Sequence, residues 1–172
     1  FVISMSNFNK VKYFNKKKGI IEIESGLLLK DLLPIIIQSG WFIPITPGTK
    51  HVSIGGMIAN NIHGKNTYKN QIKYYVKKLK LISSNKEIIC SKSKNKKLFN
   101  LTIGGFGLTG AILSITLKLK KIYSENIEQK IIEFKNFKEF YEISRINKNF
   151  EYSVCWIHNL DKDSIKGIYY LG

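Results

Sequence analysis

The sequence predicts an α+β chain with more strand than helix, one layered unit over roughly its first 120 residues followed by the beginning of another. Three observations carry this. Apolar residues alternate with period two in segments 20–24, 75–91 and 111–122, whereas only 27–40 and 136–147 have helical length and spacing. Around Tyr123 to Gln129 the pattern loses definition, which divides the chain into 1–122 and 123–172. A chain of 172 residues can bury one sizeable core, and no internal repeat is apparent.

Taken in order, Ile20-Ile21-Glu22-Ile23-Glu24 alternates as a half-buried strand does, and Gly26 closes it with a turn. Segment 27–40 has helical length and ends in Ser39-Gly40, a C-cap signature, with Pro34 expected to sit at a kink or to divide two short turns. Segment 41–49 returns as extended chain, because a residue that precedes proline is pushed out of the helical region. In 75–91 two alternating runs flank Ser83-Ser84-Asn85-Lys86, which predicts a hairpin. Segment 96–110 reads as a short helical turn entering a glycine loop, and 111–122 as an alternating strand. Asn136 and Glu139 stand in capping-box register ahead of a helix that carries Phe137, Phe140 and Tyr141 on one face. Segment 152–160 reads as a buried strand.

Net charge is +16, with a pI near 9.8, a balance that raises nucleic acid or an anionic membrane as partners. The distribution argues against nucleic acid. Arg145 is the sole arginine, while base readout and bidentate phosphate clamps favour arginine, and the lysines are scattered among Ile and Asn as a solvated face would be. Cys90 and Cys155 are far apart and share no metal or disulfide spacing, which points to a reduced, cytoplasmic setting. The longest apolar run, Leu32 to Ile37, is broken by Pro34 and bounded by Asp31 and Gln38, too short for a bilayer. The chain opens at Phe1 inside what reads as a strand, so it is expected to be an interior piece of a longer protein.

Two glycine-rich stretches carry the chemistry. Gly105, Gly107 and Gly110 satisfy G-x-G-x-x-G, but that fingerprint binds a dinucleotide only when it opens a helix, and the segment after it alternates as a strand; a Rossmann site is excluded. Glycines there, and at Gly48 to Gly56, still let backbone N–H groups approach an anion closely or form a nest for phosphate; alternatively they are tight turns. Next comes His63-Gly64-Lys65-Asn66, a cluster of hydrogen-bonding and cationic groups suited to an anionic or carbonyl-rich ligand. His51, His63 and His158 share no metal-ligand spacing, so no metal is expected.

Segments 47–66, PGTKHVSIGGMIANNIHGKN, and 102–113, TIGGFGLTGAIL, together with Tyr152-Ser153-Val154-Cys155-Trp156-Ile157, resemble the PCMH-type FAD-binding domain of the vanillyl-alcohol-oxidase superfamily, in particular the branch of decaprenylphosphoryl-ribose oxidases. The resemblance implies FAD as cofactor, 1–122 as the C-terminal portion of that domain and 123–172 as the beginning of a substrate-binding domain. It implies oxidation of a secondary alcohol of a sugar or sugar-lipid by hydride transfer to flavin. It places Pro47, Gly48, Thr49, Ser53, Gly55, Gly56, Ala59, Asn60, Ile62, His63, Gly64 and Asn66 along the cofactor. Gly105, Gly107, Gly110 and Ile112 fall at its adenosine end. His63 and Lys65 become the catalytic residues, and Lys65 and Trp156 the substrate contacts, with a core tryptophan as the other reading of Trp156. A lipid-linked or free sugar substrate, a reductase partner for epimerisation and peripheral association with a membrane follow, with no nucleic acid. The alternatives are a basic module that holds RNA or a phosphorylated ligand without redox chemistry, supported by the interleaved aromatics of 73–78, and a non-catalytic relative that has lost FAD.

Overall fold

A computed structural model describes residues 3–161 and 164–172. The chain forms two compact units, one of residues up to 64 with 71–123, the other of 65–70 with 124 onward.

In the first unit the strands are β1 (Val11–Asn15), β2 (Ile20–Glu24), β3 (Trp41–Phe42), β4 (Val76–Ser83), β5 (Lys86–Ser91), β6 (Ala111–Lys118) and β7 (Lys120–Lys121). Five of them make one sheet in the order β1-β2-β6-β4-β5, antiparallel throughout, while β3 and β7 pair separately. The alternation works as read: Ile21 and Ile23 are fully buried, and Leu79, Leu81, Ile115 and Leu117 join them in one core. Helices α1 (Leu29–Ile37), α2 (Ile54–Ala59) and α3 (Lys96–Thr102) complete the unit. Leu29, Leu32 and Ile36 of α1 are buried at helical spacing. Of the two outcomes expected at Pro34, the division into two short turns does not occur: α1 runs through Pro34 as one helix. Proline forfeits one backbone hydrogen bond, which the buried stripe on both sides of it offsets.

The hairpin turn forms as predicted, with Ser84 and Asn85 both in the left-handed region at φ 48° and 60°, the geometry that matches strand twist in a two-residue loop. Of the extended segment 41–49 only Trp41 and Phe42 pair in a ladder; Ile43 and Ile45 are instead buried as irregular chain.

Glu22 of β2 is an acidic group within the sheet. Lys78 donates to its Oε2 at 3.1 Å and Ser114 to its Oε1 at 3.0 Å. Burial raises the carboxyl's pKa, but the hydrogen bonds from Lys78 and Ser114 and the charges of Lys78 and Lys12 outweigh it, and the net shift is downward from 4.5. The folded protein therefore binds fewer protons here than the unfolded chain does. The stability that Glu22 supplies is complete above about pH 4.5 and is lost as pH falls through the lowered value. Glu22→Gln should lower the melting temperature at neutral pH and flatten its decline between neutral and acid solution; curves of equal steepness for wild type and variant would remove Glu22 from the acid response.

The second unit contains β8 (Lys130–Phe134), α4 (Phe137–Ile146), β9 (Ser153–Asp161) and β10 (Ser164–Leu171), with sheet order β8-β10-β9. The α4 cap is the predicted one: Asn136 Oδ1 accepts from the Glu139 amide at 2.9 Å, and Glu139 Oε2 accepts from the Lys135 amide at 2.8 Å. Only part of the expected aromatic face reaches the core. Phe140 packs on Phe134 and Tyr169, with ring centroids 5.1 and 5.3 Å away, whereas Phe137 and Tyr141 are exposed. The strand expected over 152–160 forms as β9, but residues 153–158 of it are half-buried or exposed. Trp156 is 61% exposed and Ile157 52%. The sheet has Phe134, Tyr169 and Leu171 on its covered side, and α4 lies against β8 and β10; Trp156 instead makes an edge-on pair with Tyr170 at 6.2 Å.

Candidate functional site

The first glycine stretch is held against the end of β2 and the start of α1 by a short antiparallel run of backbone bonds. The amides of Lys30 and Leu29 donate to the carbonyls of Lys50 and Val52, and those of Ile54 and Gly55 donate back to Leu27 and Ser25. These bonds also satisfy the first amides of α1, whose N-cap, Leu28, has no side chain able to do so. Ser53 caps α2, its Oγ accepting from the Gly56 amide at 3.1 Å. The second glycine stretch is pinned to the far end of α2, with Gly104 and Phe106 donating to the carbonyls of Ile58 and Ala59.

Between the two stretches lies a cleft of about 570 Å³. Among the predicted residues, Ser53, Gly55, Gly56 and Ala59 line one side of it and Gly107, Gly110 and Ile112 another. Among the described residues, none that lines it has an ionisable side chain. Glycine is required at two positions by close approach: a Cβ on Gly55 would stand 2.7 Å from Ser25 Cβ and 2.9 Å from Ser25 O, and one on Gly110, at φ +130°, would stand 2.2 Å from Ile82 O. Gly56 differs, since the nearest atom to its missing Cβ is Ser53 Oγ at 3.0 Å and the rest of the surrounding space is open.

The remaining predicted residues do not line this cleft. Gly48 and Thr49 are exposed and Pro47 half-buried on the loop before it, where Thr49 Oγ1 accepts from the His51 amide at 3.2 Å. Asn60 ends α2 and returns its side-chain amide to Gly56 O at 2.9 Å. Ile62 exchanges backbone bonds with Met57 and Ile72, His63 bridges to Gln71, and Gly64 follows at the unit's edge. His63 is exposed, with Nδ1 3.5 Å from Gly64 O. Gly105 sits in the turn after α3, donating to Thr102 O. Lys65, Asn66 and Trp156 belong to the second unit, where Lys65 O accepts from the Ser153 amide at 2.8 Å and Asn66 bridges Tyr152.

Of the two readings of the glycine loops, an amide nest or tight turns, the bonds within the unit favour tight turns at six amides. Those of Gly55, Gly56, Gly104, Gly105, Phe106 and Gly110 already donate within the unit, to backbone carbonyls or, for Gly56, to Ser53 Oγ. Close packing of the loops engages these six amides. What the glycines offer is room rather than charge.

Sequence reasoning missed Ser25 and Phe106. Ser25 is 3% exposed, lines the cleft, and its Oγ has no hydrogen-bond partner. The signal was present, because Ser25 continues the inward phase of Ile21 and Ile23, so a hydroxyl occupies a position where the alternation calls for an apolar group. Phe106 lines the cleft while 73% exposed and holds a left-handed φ of +50°, a conformation uncommon outside glycine. Outside the cleft, both thiols are free, and burial pushes the pKa of Cys90 and of Cys155 up, away from thiolate reactivity.

Comparison with known proteins gives the chain a family. Residues 1–90 match the FAD binding domain family. The chain belongs to that family. FAD is the cofactor of this FAD-binding domain, and the cleft suits part of such a molecule, with glycine walls a flat ring can approach and a buried hydroxyl lacking a partner. Decaprenylphosphoryl-beta-D-ribose oxidase of Mycolicibacterium smegmatis is 31% identical over 121 residues, 69% of this chain and 26% of that protein. D-lactate dehydrogenase of Anaerostipes hadrus is 31% identical over 125 residues, with the same shares. L-gulonolactone oxidase of Mus musculus is 29% identical over 119 residues, 69% of this chain and 27% of its own. The chain spans about a quarter of the length of the curated relatives it matches.

Proposed function

We propose that the protein carrying this chain is an FAD-dependent oxidoreductase that oxidises a secondary alcohol of a sugar or sugar-lipid. The observation that carries the reading is the cleft itself, built by the two glycine stretches of a chain belonging to the FAD-binding family. The names of the relatives, two oxidases of sugar-derived compounds and a hydroxy-acid dehydrogenase, support a carbinol carbon as the site of oxidation. When bound, FAD supplies the acceptor for the hydride that leaves that carbon.

The chain's own residues contribute shape and polarity. Gly55 and Gly110 let backbone segments meet closely enough to form the walls, and Gly56 leaves the space between them open. In this proposal the exposed imidazole of His63 accepts or relays the proton of the substrate hydroxyl. Lys65 supplies positive charge to a substrate oxygen as that proton leaves. Asn66 orients polar groups beside it, and Trp156 offers an exposed aromatic surface to an apolar or sugar-ring portion of the substrate. A polyprenyl-phosphate pentose, an aldonolactone or a free polyol all present such a carbinol. Where the product keto sugar is to be epimerised, a separate reductase partner must follow, and scattered surface lysines would favour an anionic membrane carrying a lipid-linked substrate.

The test is the visible spectrum of the purified full-length protein, taken before and after anaerobic addition of candidate sugars. A flavin spectrum bleached by one of them supports the proposal, and a flavin that no carbinol compound bleaches refutes it. With an active sugar in hand, Lys65→Ala should reduce turnover by at least about tenfold, the scale of one charge-assisted interaction, while flavin content stays the same. Unchanged turnover would remove Lys65 from the chemistry.

A further inference from the structure

The buried hydroxyl of Ser25 has no task in the fold. Its backbone is fully engaged, the amide donating to Leu113 O at 3.0 Å and the carbonyl accepting from the Gly55 amide at 2.7 Å, but its Oγ has no partner at 3% exposure. A hydroxyl withdrawn from water without a hydrogen bond is destabilising, and such groups are rare in folded proteins. Ser25 lines the cleft, so a ligand seated there can supply the missing partner.

The cleft's chemistry narrows which part of the cofactor that is. A pyrophosphate carries negative charge and requires cations or several free donors. Among the described residues that line the cleft no side chain is ionisable, and the amides of Gly55, Gly56, Phe106 and Gly110 already donate within the unit. A neutral heteroaromatic ring has the opposite needs: flat apolar walls, here Ala59, Phe106 and Ile112, and a hydrogen-bonding group at one edge. Resting on the assignment of FAD as cofactor, we propose that Ser25 is a cofactor-binding residue whose hydroxyl donates to an acceptor at the edge of one of FAD's two heteroaromatic ring systems. Adenine and isoalloxazine share that chemistry, and the experiment separates them.

Ser25→Ala removes the oxygen and keeps the Cβ that packs against Gly55. The readouts are the dissociation constants of FAD, ADP and FMN from apoprotein of the full-length protein, together with the melting temperature of the apoprotein. Loss of one neutral hydrogen bond should weaken FAD by about fivefold to tenfold. The same factor should appear with ADP alone if the ring is adenine, or with FMN alone if it is isoalloxazine. The apoprotein should melt no lower than wild type, because the variant loses an unpaired hydroxyl. Unchanged FAD affinity overturns the proposal, as does a lowered apoprotein melting temperature with ADP and FMN constants both unaltered, which would mark a purely structural serine. Wild-type protein that binds none of the three ligands overturns the cofactor assignment as well, so the two failures are distinguishable.

Discussion

Gly56→Val should yield a folded protein without flavin. Valine at this position has only Ser53 Oγ near its Cβ, at 3.0 Å, and lies in a helix where it is no worse than the glycine it replaces. The cost to the fold is a disturbed cap, about 1 kcal/mol. The isopropyl group, however, projects into the space that the cleft keeps open, against a cofactor that cannot give way. FAD affinity should fall by at least about a hundredfold, or roughly 2.7 kcal/mol. Circular dichroism and melting checked beside flavin absorbance decide the matter: a variant that is folded and normally flavinated refutes the placement of FAD in this cleft.

Gly55→Val, one residue earlier, should fail in the opposite way, by losing the fold. Its Cβ would meet the Cβ and carbonyl oxygen of Ser25 at 2.7 and 2.9 Å, and backbone cannot swing aside as a side-chain end can. The amide bond from Gly55 to Ser25 O, which holds α2 against the end of β2, would open as well. Overpacking of this kind together with a lost buried hydrogen bond costs about 3 kcal/mol or more, a large share of the 5–15 kcal/mol typical of a domain. Melting should drop by roughly 10 °C, with poor soluble yield. Two neighbouring glycines are thereby assigned different duties, and a Gly55→Val protein as stable as wild type would show that the junction can relax.

The contrast marks where sequence reading succeeds. Elements with strong local periodicity were legible: β2, the β4–β5 hairpin, β6 and the capped α4 all follow from alternation, turn residues or a capping box. Reading β6 as a strand was enough to dismiss the dinucleotide fingerprint ahead of it. What stayed hidden depends on partners distant in sequence. Composition shows that glycine amides can approach an anion, but not that Ser25 O, Ser53 Oγ and Ile58 O have already claimed those of Gly55, Gly56 and Gly104. Nor does the apolar character of β9 show that Trp156 stays in solvent. The motif residues were named from a resemblance, and the structure gathers seven of them, Ser53, Gly55, Gly56, Ala59, Gly107, Gly110 and Ile112, around one cleft.

Residues 65–70 have a consequence for how this protein can be taken apart. The chain leaves the first unit after Gly64, joins the second, returns at Gln71 and leaves again after Tyr123. While in the second unit its Lys65 carbonyl accepts from the Ser153 amide and its Thr67 amide donates to Glu151 O, closing the β9 end of that structure. No single scission therefore separates the two units into self-sufficient pieces. A recombinant piece starting at Ser124 would lack the partners of Glu151 and Ser153, and a protease nick near Tyr123 alone would leave the halves sharing a thread through His63-Gly64-Lys65-Asn66, so that nicked protein should still elute as one species from a sizing column.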